Sequence, residues 1–133
     1  MRTILGLVSA LALLLVPAPV RADLWEDATT DTIGTTGEWS NKVELADVDG
    51  DGWVDILFAN GGAYSSPGAP EASRVFHNNG DWAPGSAPFF TEITSDVFAA
   101  ATGHTRVVKV RDVDDDGDVD VFVGNTYQTQ SRL

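Results

Sequence analysis

Residues 47–55 read Asp-Val-Asp-Gly-Asp-Gly-Trp-Val-Asp, and residues 112–120 read Asp-Val-Asp-Asp-Asp-Gly-Asp-Val-Asp. Both stretches carry Asp at positions 1, 3, 5 and 9 and Gly at position 6. Carboxylates on alternate residues, followed by a glycine that allows a sharp backbone turn, can direct several oxygens at one point. A hard cation such as Ca²⁺ takes roughly six to eight oxygen ligands, so the spacing predicts two calcium-binding loops.

An acidic turn that simply faces solvent is the alternative explanation, because Asp and Gly are ordinary turn residues and runs of charge usually contact water. Two features favour the metal. Closely spaced carboxylates repel one another unless a cation lies among them. The same register also occurs twice in one short chain. We therefore expect each loop to hold one Ca²⁺ ion.

The residues around each loop indicate its class. An EF-hand has a bidentate Glu at position 12 and a helix on each side. Here position 12 is Phe58 in the first loop and Val123 in the second, and apolar runs flank both loops. Each loop is therefore predicted to join two β-strands. The expected metal ligands are the side chains of Asp47, Asp49, Asp51, Asp55, Asp112, Asp114, Asp116 and Asp120, with the backbone carbonyls of Trp53 and Asp118.

The duplication extends beyond the loops. Residues 25–60 align without a gap with residues 90–125, at an offset of 65. Residues 73–75 then resemble residues 131–133 at an offset of 58, because the first copy carries a longer Gly, Pro and Ser-rich loop at 61–70. This pattern predicts a tandem structural repeat.

Alternating and apolar segments predict six strands and no helix of useful length after the N-terminus. An all-β meander with so long a repeat favours a propeller over a sandwich. The predicted strands lie near 41–47, 54–59, 73–78, 89–94, 105–112 and 119–124.

The order of four segments, 46–52, 54–58, 74–81 and 90–94, resembles the FG-GAP/VCBS repeat family, which is related to the head of the integrin α-subunit. The resemblance covers nearly all of residues 24–133 and departs from the family pattern in an insertion at 82–88. It implies that each repeat forms a four-stranded propeller blade whose Asp-rich loop binds calcium. We therefore expect an all-β fold, a partial β-propeller of about two four-stranded antiparallel blades.

The N-terminus has the layout of a secretory signal peptide. Arg2 precedes an apolar run at 4–16, and a small-residue cleavage site ends at Ala22. A short membrane anchor is the alternative, but the run is too short to span a bilayer comfortably. We expect residues 1–22 to be a signal peptide and the chain to be secreted, on the cell surface or periplasmic. Residues 23–133 form the repeat region, with a first unit at about 24–88 and a second, incomplete unit at about 89–133.

Composition restricts the partners. The chain has a formal net charge of −12 and no cysteine, so it repels nucleic acid and anionic lipid and has no disulfides. We expect no membrane insertion after signal cleavage, and an unknown protein or carbohydrate as ligand. Two units are too few for a closed propeller, so we expect the rest of the ring to be missing from this chain and the polypeptide alone to be marginally stable or to associate.

Catalytic residues are not predicted. His77 and His104 are the only imidazoles, and the sequence has neither a Gly-x-Ser-x-Gly elbow nor a Cys nucleophile. Two functions remain. One is a non-enzymatic, exported, calcium-binding propeller module for adhesion or interaction. The other is the propeller part of an exported polysaccharide-degrading or other hydrolytic enzyme whose catalytic residues lie beyond the C-terminus of this chain.

Overall fold

The computed structural model describes residues 27–62, 65–83, 89–127 and 130–133. The predicted signal peptide lies outside these residues. None of the helices within them is long and apolar enough to cross a bilayer.

The chain forms eight short strands and two short helices within the described residues. The strands are β1 (Ser40–Ala46), β2 (Asp55–Asn60), β3 (Glu71–Ala72), β4 (Arg74–Asn78), β5 (Phe90–Glu92), β6 (Thr102–Gly103), β7 (Thr105–Arg111) and β8 (Asp120–Asn125), and the helices are α1 (Thr29–Thr32) and α2 (Thr94–Phe98).

The strands pair antiparallel in three sheets. One sheet has four strands in the order β1-β2-β4-β5, β7 pairs with β8, and β3 pairs with β6. The prediction of an all-β, antiparallel fold is confirmed. Within the described part of the second unit, β5 joins the first sheet, β6 pairs with β3, and β7 and β8 form a hairpin with one further bridge, between Val123 and Arg132. The described residues therefore do not show a second four-stranded sheet.

The segment predicted as a strand at 89–94 ends earlier than its sequence suggested. β5 ends at Glu92, and α2 begins at Thr94. The Ile93 N–H donates to the carbonyl of Val75, and the Val75 N–H donates to Oγ1 of Thr94. The Thr94 hydroxyl thus takes the place of the next backbone acceptor, and the helix that follows brings Val97 onto the core. Tertiary contacts therefore override the β-propensity of the Ile-Thr pair.

The two units repeat in atomic detail. The β1–β2 register shifts between Ser40 and Lys42, and the β7–β8 register shifts at the same place, 65 residues later. The side-chain amide oxygen of Asn60 accepts a hydrogen bond from the Ser40 hydroxyl at 2.8 Å, and that of Asn125 accepts one from the Thr105 hydroxyl at 2.7 Å. Equivalent residues therefore occupy equivalent positions.

The third strand position follows the shorter offset of 58. Phe58 pairs with Arg74 in the first sheet, and Val123 bridges Arg132 in the second unit. The Ser73 hydroxyl accepts from the Asn60 N–H at 3.4 Å, and the Ser131 hydroxyl accepts from the Asn125 N–H at 3.1 Å.

The core lies between the two units. Leu57, Ala59 and Val75 of the first sheet and Val108 of β7 are all fully buried and form one cluster. β7 packs beside β1 and β2. This packing fixes the two Asp-rich loops at the same end of the molecule, where β1 passes into β2 and β7 into β8.

Candidate metal centre

The first aspartate of each loop organises the turn that follows it. The two carboxylate oxygens of Asp47 accept hydrogen bonds from the N–H groups of Gly50 (2.8 Å) and Gly52 (2.9 Å). Asp112 accepts from the N–H groups of Asp115 (2.7 Å) and Gly117 (3.0 Å) in the same way. Both loops therefore have one hydrogen-bond frame, although their sequences differ at position 4.

The ninth aspartate of each loop ties its end to its beginning. Oδ2 of Asp55 accepts from the Val48 N–H at 2.8 Å, and Oδ2 of Asp120 accepts from the Val113 N–H at 3.1 Å. Asp55 is fully buried, and its other oxygen accepts from the Asn78 N–H at 2.7 Å. The first loop is thereby fastened to β4 as well as closed on itself.

Both loops need two residues with left-handed backbone. Position 6 is glycine in both loops, with φ of +91° at Gly52 and +97° at Gly117. Position 4 also has positive φ, +76° at Gly50 and +63° at Asp115. Asp is one of the few L-residues that adopt this conformation readily. The sequence pattern had indicated position 6 alone.

Carboxylate oxygens converge in both loops. Asp47, Asp49 and Asp51 each place one oxygen within 4.8 Å of the other two, and so do Asp112, Asp114 and Asp120. These two groups contain six of the ten predicted ligands.

The remaining predicted ligands divide into several cases. Asp55 belongs to a third such group, with Asp49 and His77. Asp116 lies outside these groups, and its Oδ1 accepts from the Asp118 N–H at 2.9 Å. The Trp53 N–H donates to Oδ1 of Asp51 at 2.8 Å. Coordination by the Trp53 and Asp118 carbonyls stays a prediction.

His77 is the residue that sequence reasoning missed at this site. Its Nδ1 lies 3.2 Å from Oδ2 of Asp49 and 3.4 Å from Oδ1 of Asp55. These contacts lack hydrogen-bonding geometry, so the buried Nδ1 has no hydrogen-bond partner among the described residues. The neighbouring Asn78 N–H binds Asp55. The β2–β4 pairing therefore brings His77 to the loop, and no local sequence signal shows it.

His104 lies at the opposite end of the strands from the loops. Its Nε2 is 3.4 Å from the carbonyl of Gly68, and its ring contacts that of Tyr127 edge to face. The two imidazoles are therefore not brought together.

The hydrogen bonds of the first loop favour the charged form of Asp47. Backbone hydrogen bonds, chiefly from Gly52, hold the pKa of Asp47 below its usual value. The loops also face one another across a cleft of about 460 Å³, which Asp49 and Asp118 help to line. The donor set is almost entirely carboxylate oxygen, which suits a hard divalent cation better than a soft one.

The model of the protein family described as FG-GAP-like repeat matches residues 47–123, which is more than half of the chain. The match begins at the first residue of the first loop and ends in β8. No curated protein matches the chain, and no solved structure does.

Proposed function

Because the chain belongs to the FG-GAP-like repeat family, we propose that it is an exported, calcium-binding module of the β-propeller type that interacts with a protein or a carbohydrate. In this proposal the four-stranded sheet is one blade, and β7 and β8 begin the next. The chain acts as a binding module and has no catalytic residues of its own. Residues 1–22 direct its export.

The recurrence of one carboxylate geometry carries the calcium proposal. Two loops that differ at positions 4 and 7 have the same hydrogen-bond frame. In each loop the aspartates at positions 1 and 3 converge with a third, which is at position 5 in the first loop and at position 9 in the second. Calcium tolerates the irregular arrangement of oxygens that such loops offer, whereas magnesium demands near-octahedral geometry. Each ion would be held by the aspartates at positions 1, 3, 5 and 9, and it would offset their mutual repulsion.

Calcium titration of the purified chain tests the proposal. Isothermal titration is expected to find two bound ions per chain, and one each for Asp49→Asn and Asp114→Asn. In the Asp49→Asn variant the side-chain amide oxygen can still accept the hydrogen bond that the Asp51 N–H donates to Asp49. The negative charge is removed, so the loop turn is preserved while the metal site is weakened. Asp96→Asn, in α2 and outside both loops, is the control and is expected to bind two ions.

Thermal denaturation supplies the second readout. A ligand that binds only the folded state stabilises it by about 2.7 kcal/mol at one hundred times its Kd. Calcium is therefore expected to raise the Tm of the chain and of Asp96→Asn, and to raise that of the two loop variants less. A folded chain that takes up no calcium would refute the proposal.

A further inference from the structure

The contact between the two units uses two different apolar faces. We call Val48 and Leu57 the receiving face, because they lie on the side of the first unit that packs around Val108. Val108 and Val110 form the inserting face of the second unit, which enters that cluster. Leu57 and Val108 are both 0% exposed. The contact is therefore head to tail, with unlike surfaces meeting.

The repeat places a second copy of each face on the outside of the molecule. At the offset of 65, Val43 and Leu45 of the first unit correspond to the inserting face, and they are 45% and 62% exposed. Val113 and Phe122 of the second unit correspond to the receiving face, and they are 60% and 41% exposed. Each face is thus fully or partly buried in one unit and exposed in the other within the described residues.

The polar contacts of the buried interface join equivalent positions of the two units. Lys109 Nζ lies 3.0 Å from Oε1 of Glu44, which stands 65 residues earlier, and Nη1 of Arg106 donates to the Asn41 side-chain oxygen. A second copy docked in the same way would bring its own Glu44 to Lys109 and its own Asn41 to Arg106. Lys109 and Glu44 carry opposite charges, so the new contact would again join a positive and a negative side chain. If both units had the same charged residue at this position, two like charges would meet instead.

We propose that copies of this chain associate head to tail, with Val43 and Leu45 of one copy docking on Val113 and Phe122 of the next. The new contact uses the counterparts of Val48, Leu57, Val108 and Val110. Propellers usually have about four to eight blades, so a ring closed by such contacts is expected to contain about four to eight units. This association goes beyond the proposed function, because its contacts use apolar side chains and not the carboxylates of the loops.

Analytical ultracentrifugation of the purified chain tests the association. At micromolar concentrations and above, the chain of residues 1–133 is expected to sediment as a discrete species larger than the monomer. Leu45→Glu and Phe122→Glu each place a charge in the contact, so each variant alone is expected to be monomeric. An equimolar mixture of the two is expected to give a heterodimer, because the intact receiving face of one variant meets the intact inserting face of the other.

Ala100→Glu is the matched control, since it adds the same charge at an exposed turn after α2 and is expected to assemble like the unchanged chain. Far-ultraviolet circular dichroism establishes that the monomeric variants remain folded. A chain that is monomeric throughout this concentration range would overturn the proposal. That result is expected if both faces are covered within one polypeptide. Assembly that survives both face variants, or a mixture that yields no heterodimer, would overturn the proposal equally.

Discussion

At the scale of single residues, the loops depend on backbone conformation as much as on carboxylates. Gly52 and Gly117 have φ near +95°, and the space where a Cβ would stand is empty at both positions. Glycine is therefore not needed at these positions to avoid a steric clash. It is needed for a left-handed turn that lets the aspartates at positions 1 and 5 accept backbone hydrogen bonds.

Gly52→Ala is expected to destabilise the protein by about 1–2 kcal/mol through backbone strain alone. Urea unfolding measures the loss. Gly37→Ala is the matched control, because Gly37 also has free space around a Cβ but does not have positive φ. The control is expected to be neutral or to stabilise by up to about 1 kcal/mol by restricting the unfolded chain. Equal losses in the two variants would contradict the account.

Asp115→Gly tests the position that the sequence did not reveal. Asp115 has φ of +63° where the first loop has glycine, and the Asp-rich pattern does not distinguish it from the other aspartates of its loop. Glycine removes the strain of a left-handed L-residue but increases the entropy of the unfolded chain. The two effects oppose, so the expected change in the free energy of unfolding is within about 1 kcal/mol. A urea midpoint far below that of the unchanged chain would show that the Asp115 side chain has a further role.

Sequence spacing selects the aspartates of the candidate site as predicted ligands and gives no indication that His77 lies beside them. The aspartates are local, because residues on alternate positions of one turn are near each other whatever the rest of the chain does. His77 reaches Asp49 from another strand, and its place depends on the β2–β4 register. Register is set by turn geometry and by which faces are buried, and both are properties of the folded sheet.

At the scale of elements, the longer strands were predictable and the shortest elements were not. β1, β2, β7 and β8 have alternating or continuous apolar residues next to an Asp-rich turn, which is a strong strand signal. β3 and β6 have two residues each and form only through pairing with one another. α2 has five residues, fewer than are needed to show a helical period.

The pair between β4 and β5 predicts a pH effect. Arg74 donates to both carboxylate oxygens of Glu92, at 3.0 and 2.8 Å, and this hydrogen bonding lowers the pKa of Glu92 below 4.5. A carboxyl group whose pKa is lowered by folding stabilises the protein above its unfolded pKa, and that contribution is lost as the pH falls through the folded pKa. Tm measured between pH 6 and pH 3 is therefore expected to fall less steeply for Glu92→Gln than for the unchanged chain.

The size of this effect is limited by exposure. Because the Glu92 side chain is 42% exposed, the pair is expected to contribute no more than about 1 kcal/mol. Arg74→Lys keeps the charge but not the two-pronged geometry, so it is expected to remove part of the same pH dependence. A Glu92→Gln variant with an unchanged pH profile would show that the pair contributes nothing to stability.

At the scale of the whole molecule, the sequence predicted two similar units but not where one sheet ends and the next begins. β5 opens the second copy of the sequence repeat, yet it completes the first sheet. A tandem repeat has no intrinsic starting point, so alignment gives its period and leaves its phase open. Phase is decided by pairing, here by Phe90 against Asn78 and Glu92 against Phe76.

Equivalent positions in the two units should differ in their contribution to stability, because one is covered by a neighbouring unit and the other is not. Leu57 is fully buried against Val108, whereas Phe122, at the same point of the second unit, is 41% exposed. Leu57→Ala removes buried apolar surface and leaves a cavity, so it is expected to cost about 2–5 kcal/mol. Phe122→Ala is expected to cost clearly less in a chain that cannot associate.

Urea unfolding in the Leu45→Glu background allows this comparison on monomeric chains. That substitution blocks the proposed contact between copies and leaves Leu57 and Phe122 in place. In the unblocked chain, Phe122→Ala should also weaken assembly, and its effect on stability should then grow with protein concentration. Equal losses for Leu57→Ala and Phe122→Ala in the blocked background would mean that packing between the units does not govern the core. A much larger loss for Leu57→Ala would establish that a unit of this repeat is stabilised chiefly by the unit that follows it.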